Sequence, residues 1–169
     1  MTPVAATAAP ILIFGWGNAS RGDDALGPAF IERASALVLR GDVPEIEWLT
    51  DYQLQVEHAL DLADRRQVLF VDASLDCAAP FEVLPLHSAT EHQLTTHAMA
   101  PEAVMQVYER LNGHNAPPCT LLAIRAEQFE LGAAIGEAAQ ANLEQALDWF
   151  TQWLSTQVEA SPPATPCTN

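Results

Sequence analysis

The sequence predicts an α/β fold: a three-layer αβα sandwich around a central, mostly parallel twisted sheet of about five strands. Three observations carry this. The runs Ile11-Leu-Ile-Phe14 and Val68-Leu-Phe-Val71 are apolar without alternation, as strands buried on both faces require. Segments with near-helical apolar spacing fall between such strands, which places helices on both sides of a parallel sheet. The chain has 169 residues, 49% of them hydrophobic, enough for one sizeable core and too short for two.

Residues 1–10 read as a loose N-terminal segment, 11–157 as a single domain, and 158–169 as a loose Pro-rich tail. Within the domain, the first strand enters a Gly15-Trp-Gly17 turn and a first helix over Ala25–Leu39, with Leu26, Phe30, Ala34, Leu37 and Val38 on its apolar face. Ile46–Leu49 is a short second strand, and Leu54–Leu62 a short helix carrying Leu54, Val56, Ala59 and Leu60. The third strand, Val68–Asp72, ends on an acid. Phe81–Leu84, flanked by Pro80 and Pro85, reads as an edge strand, since proline cannot donate to a ladder. Pro101 opens a helix to Leu111 with Val104, Val107, Tyr108 and Leu111 on one face. Thr120–Ile124 is the last strand. The final helix, Glu137–Leu154, turns Ala141, Leu143, Leu147, Phe150 and Leu154 inward.

Composition removes several classes of function. Twenty-two acidic against seven basic residues give a formal net charge of −15, which repels phosphate backbones and anionic lipid surfaces. Nucleic acid and membrane partners are not expected. Cys77, Cys119 and Cys167 form no CxxC pair and are odd in number, so neither a disulfide framework nor a structural zinc site is indicated. No run approaches the ~20 apolar residues of a membrane span, and the opening residues carry no positive charge. A cytoplasmic location is the expectation.

The chemistry concentrates after the first strand. Gly15 and Gly17 permit a tight strand-to-helix crossing, and Asp23 and Asp24 then open a helix, where backbone N–H groups and the helix dipole favour an ionised carboxylate. Dinucleotide binding is a poor fit: Ser20 stands where the third glycine belongs, and two acids would face the pyrophosphate. Capping a helix needs one aspartate, not both. Asp72 delivers another carboxylate from a buried strand, although an acid that ends a strand and caps a turn with Ser74 is the plainer reading. Ligands of such sheets gather beyond the carboxyl ends of the strands, so these acids are expected to meet at one rim. With an imidazole they form a donor set suited to nickel, zinc or manganese. His97 is the best placed, just before the Pro101 helix; His58 lies inside an amphipathic segment, and His87, His92 and His114 fall in loops.

Gly15-x-Gly17-Asn18, Asp23-Asp24-x-x-Gly27, the strand ending in Asp72 and the loop His97 together resemble the hydrogenase maturation proteases, in order from about Ile11 to Leu154. The resemblance implies a cytoplasmic endopeptidase that removes a C-terminal extension from the large-subunit precursor of a nickel-iron hydrogenase. It also implies that Asp24, Asp72 and His97 approach nickel already in the precursor, acting as catalytic and metal-contacting groups with no tightly held cofactor. Glutamate is common in relatives at the Asp24 position. Many relatives follow strand two with an acid, two small residues and threonine, whereas this chain has Asp51-Tyr-Gln-Leu-Gln-Val-Glu57. That wording resembles the branch serving soluble, NAD-reducing hydrogenases and implies substrate contacts by Asp51 and Gln53, joined by Gly15, Gly17, Asn18 and Asp23 of the first motif. Two other classes remain open: a peptidase or amidase with its own zinc acting on small peptides, and a non-catalytic module binding a metal-bearing partner.

Overall fold

The computed structural model describes residues 9–38, 44–90 and 99–159. Its five-stranded sheet comprises β1 (Ile11–Trp16), β2 (Ile46–Asp51), β3 (Gln67–Ser74), β4 (Phe81–Pro85) and β5 (Cys119–Arg125) in the order β2-β1-β3-β5-β4. All neighbours are parallel except β4, which runs antiparallel to β5 at the edge. Among the described residues the α-helices are α1 (Leu26–Val38), α2 (Pro101–Asn112) and α3 (Glu137–Glu159); 3-10 segments occupy Gly22–Ala25 and Val56–Leu62. No helix among the described residues is long and apolar enough to cross a membrane.

The pleat divides the core. Ile11 and Ile13 of β1, with Leu69 and Val71 of β3, pack under α1 and α3 through Phe30, Leu147 and Phe150. The intervening residues Leu12, Phe14, Trp16, Val68 and Phe70 pack on the other face, under α2 and the second 3-10 segment, through Val104, Tyr108 and Leu62. Successive side chains of a strand point to opposite faces, so a continuous apolar run is what a sheet covered on both sides needs. The predicted sandwich is the observed one.

Several details differ from the expectation. The segment after β2 is a 3-10 helix, with three residues per turn, so Val56, Ala59 and Leu62 share a face; Ala59 and Leu62 are buried while Leu60 is exposed. Leu37 and Leu111 are also exposed, and Ala139 and Ala146 replace Ala141 against the sheet. Asp72 does not end β3, which continues through Ala73 and Ser74. Ala9 and Pro10 are pinned, the Pro10 carbonyl accepting from the Arg66 and Gln67 N–H groups and the Ala9 carbonyl from Arg65 Nη1. Likewise α3 passes the expected boundary at 157 to Glu159; the rest of both terminal segments, 1–8 and 160–169, lies outside the described residues.

Candidate active site

From β1 the chain passes through α1 to β2 on one side, and β3 then lies on the other side of β1. Loops beyond the carboxyl ends of strands at such a switch point part to opposite faces and leave a crevice. A cavity of about 340 Å³ opens there, and its walls include Asp24 from the loop after β1 and Asp72 from β3. Two acids separated by 47 intervening residues thus meet at one rim, as the sequence predicts.

Trp16, Leu54, Met99 and Phe129 supply apolar wall around them. Asp72 keeps the alternation of Val68 and Phe70, so it sits on the same face of the sheet as Trp16. Its carboxyl is pushed up to about 7, chiefly because burial penalises the charged form; the Ala73 N–H opposes this and the Asp24 charge adds to it. An ionised Asp72, the form in which an acid of this rim would contact a cation, is therefore not its resting state below about pH 7. A carboxyl poised near neutrality is matched to proton transfer at that pH.

This shift has two consequences of known sign. Folded Asp72 holds its proton more tightly than the unfolded chain does, so its contribution to stability falls as pH rises from the ordinary 3.8 to about 7. A role as base needs the ionised form, so activity should instead fall about tenfold per unit below pH 7. The pH profile of kcat/KM checks this; a flat profile between pH 5 and 7 would exclude Asp72 as the base.

The glycine turn is legible in the same terms. A Cβ on Gly15 would lie 2.5 Å from the Gly27 carbonyl oxygen, and one on Gly27 would lie 2.2 Å from that of Trp16. The first turn of α1 thus rests directly on β1, and Gly15 is a packing residue under the helix that does not line the cavity. Gly17 does line the cavity; its φ of +147° and a would-be Cβ 1.9 Å from the Asp24 carbonyl oxygen leave room for glycine alone. Asn18, also in the wall, donates its backbone N–H to Asp24 Oδ2 at 3.0 Å.

Asp23 departs from the expectation of a substrate contact. Its side chain is fully buried: Oδ2 accepts from the N–H groups of Glu127 at 2.7 Å and Gln128 at 3.2 Å, and Oδ1 from that of Gly136 at 2.7 Å. It clasps the loop between β5 and α3 to the first 3-10 turn. The paired acids therefore divide their labour, one inward as a structural anion and one into the cavity.

Asp51 is likewise redirected. It is not in the cavity wall; Oδ1 accepts from the Tyr52 N–H at 2.6 Å and Oδ2 from His58 Nε2 at 3.1 Å. The Gln55 N–H donates to His58 Nδ1 at 2.8 Å, which leaves the ring proton on Nε2 facing Asp51. This clasp ties the loop after β2 back on itself and gives His58 a partner that its helical spacing did not reveal. Gln53 lines the cavity, and so do Tyr52 and Arg21, which sequence reasoning missed. Arg21 donates through Nε to the Phe129 carbonyl. Adjacency to Gln53 was the available signal for Tyr52; Arg21 offered none beyond its place in the turn. His97 lies outside the described residues, and among those described no trio of His, Cys, Asp or Glu is arranged to hold a metal.

No protein-family model matches the chain, and no curated protein matches it in sequence. Its structure is similar to solved ones. A [NiFe] hydrogenase maturation protease, HycI, from Thermococcus kodakarensis KOD1 is 21% identical, with a TM-score of 0.67 over 87% of this chain and 93% of that one. The hydrogenase maturating endopeptidase HybD from E. coli is 25% identical, with the same TM-score and the same coverage of both chains. A hydrogenase 2 maturation peptidase from Thaumarchaeota archaeon SCGC_AB-539-E09 is 19% identical, with a TM-score of 0.57 over 85% of this chain and 97% of that one. The chain has the fold of these endopeptidases across nearly its whole described length.

Proposed function

We propose that this chain is a hydrolase, an endopeptidase that removes the C-terminal extension of a [NiFe]-hydrogenase large-subunit precursor. The observation that carries the reading is the meeting of Asp24 and Asp72 in one half-apolar cavity, within a fold shared with endopeptidases of that name. Nickel belongs to the substrate in this reading: an anionic rim at Asp24 and Asp72 attracts a cationic centre, and His97 is the nitrogen donor the resemblance assigns. No resident metal is needed. The Asp51–Glu57 wording supports a precursor of the soluble, NAD-reducing type.

The chemistry follows from the two carboxylates. With Asp72 ionised, a water in the cavity passes a proton to it as the water oxygen bonds to the scissile carbonyl carbon. The C–N bond then breaks, and the leaving nitrogen takes the proton back from Asp72. Asp24, held through Oδ2 by the Asn18 N–H, lines the same cavity and contacts the cation that the substrate brings. Substrate nickel recruits the precursor by Coulomb attraction, which is strong where apolar walls exclude water.

Incubating the protein with precursor prepared with and without nickel tests this, with mass spectrometry of the large subunit as readout. Loss of a C-terminal peptide only from the nickel-loaded form is expected. Equal cleavage of both forms removes nickel as the recognition element, and cleavage of neither removes the endopeptidase reading. Stoichiometric zinc in protein purified without chelators would instead favour the peptidase with its own metal.

A further inference from the structure

We propose that Tyr52 is a further catalytic residue, whose phenolic O–H donates a hydrogen bond to the oxygen of the scissile carbonyl as negative charge develops there. The inference rests on the endopeptidase reading and assigns a donor that the two carboxylates cannot supply. An anionic pair can bind a cation and accept a proton, but it opposes the oxyanion that forms when water adds to a peptide carbonyl. A neutral donor at the same cavity resolves that conflict.

The direction of the proton is fixed by the neighbours. Asn18 Oδ1 accepts from the Ser20 backbone N–H at 2.9 Å, and a backbone N–H is always a donor. The other end of the amide is therefore Nδ2, and it donates to the Tyr52 hydroxyl oxygen. The phenol accepts that bond, so its own proton is left for a different acceptor, and no described residue supplies one. A hydroxyl that accepts from an amide is polarised toward stronger donation.

The position is fixed as well. Asn18 holds Asp24 through its backbone N–H and Tyr52 through its side chain, so one residue sets the spacing between the acid and the phenol. Behind the ring, the Tyr52 N–H is bound by Asp51, and Asp51 by His58, which packs edge-on against Phe14 with centroids 4.6 Å apart. Asp51 and His58 are positioning residues in this scheme. Tyr52 is 63% exposed and lines the cavity, so a protein substrate seated there would cover it. That cover excludes water and strengthens the donor.

The test is Tyr52→Phe in the full chain, which removes one oxygen from an exposed ring and leaves the packing in place. Single-turnover cleavage of nickel-loaded precursor and the precursor affinity are measured side by side. The cleavage step should slow by about 10²- to 10³-fold, with affinity within about twofold and an unchanged melting temperature. A cleavage rate equal to that of the unsubstituted chain overturns the inference while leaving the endopeptidase reading intact. A loss confined to affinity also overturns it, since the hydroxyl would then serve binding alone. If the unsubstituted chain itself leaves the precursor uncut, the endopeptidase reading fails and this inference falls with it.

Discussion

Replacing Asp72 by asparagine is expected to reduce cleavage of nickel-loaded precursor by about 10²- to 10⁴-fold, the range for loss of a positioned acid–base group. The amide has nearly the size and shape of the carboxyl but cannot accept a proton from water. The same variant should be more stable than its parent in alkaline solution. At pH 8 the parent must keep a charge in a site that burial disfavours, whereas asparagine carries none; at about pH 3, below the ordinary 3.8, the parent is protonated whether folded or unfolded and the two proteins should melt together. Thermal melts at the two pH values, beside mass-resolved cleavage assays, separate chemistry from folding. A variant that cleaves normally takes Asp72 out of the reaction. One that melts lower than its parent at pH 8 contradicts the assigned desolvation.

The largest effect on stability is expected from Asp23→Ala. Removing this carboxylate, itself fully buried, leaves three backbone donors, on Glu127, Gln128 and Gly136, without their acceptor. Charge-assisted bonds of this kind contribute about 1.5–3 kcal/mol each, and three of them, discounted for relaxation, give a loss of roughly 3–5 kcal/mol. That corresponds to a fall in melting temperature on the order of 10 °C. Asp23→Asn retains one acceptor but turns an NH2 group toward a donor, so it should recover only part. Urea midpoints read the effect, and amide exchange at residues 127, 128 and 136 should accelerate with it. An unchanged midpoint would mean that the clasp is replaced by water at little cost.

The two acids also show how far a sequence can be read. Both Asp23 and Asp24 are flagged by the same local signal, a carboxylate pair at the start of a helix, and that signal treats them alike. Their divergence depends on Glu127, Gln128 and Gly136, more than a hundred positions away, whose N–H groups meet Asp23 only after the sheet has formed. Asp51 escaped prediction for a related reason. His58 shares its helical periodicity with apolar neighbours, and nothing in that pattern announces a ring nitrogen turned back toward the strand end.

Local chemistry along the chain encodes a large part of the fold. The uninterrupted apolar strands, the helices between them, the proline-flanked edge strand, and the glycines under and before α1 follow from pleat, period and backbone sterics. The rule that parallel sheets bind ligands at their carboxyl ends then brings Asp24 and Asp72 to one rim without coordinates. Which side chains reach the cavity, and in what state, depends on long-range packing. It turns Asp23 and Asp51 into clasps, brings Tyr52 and Arg21 to the wall, and buries Asp72 far enough to hold its proton near neutrality. Those outcomes depend on the direction a side chain takes and on the solvent its surroundings exclude, and both are properties of contacts between distant segments.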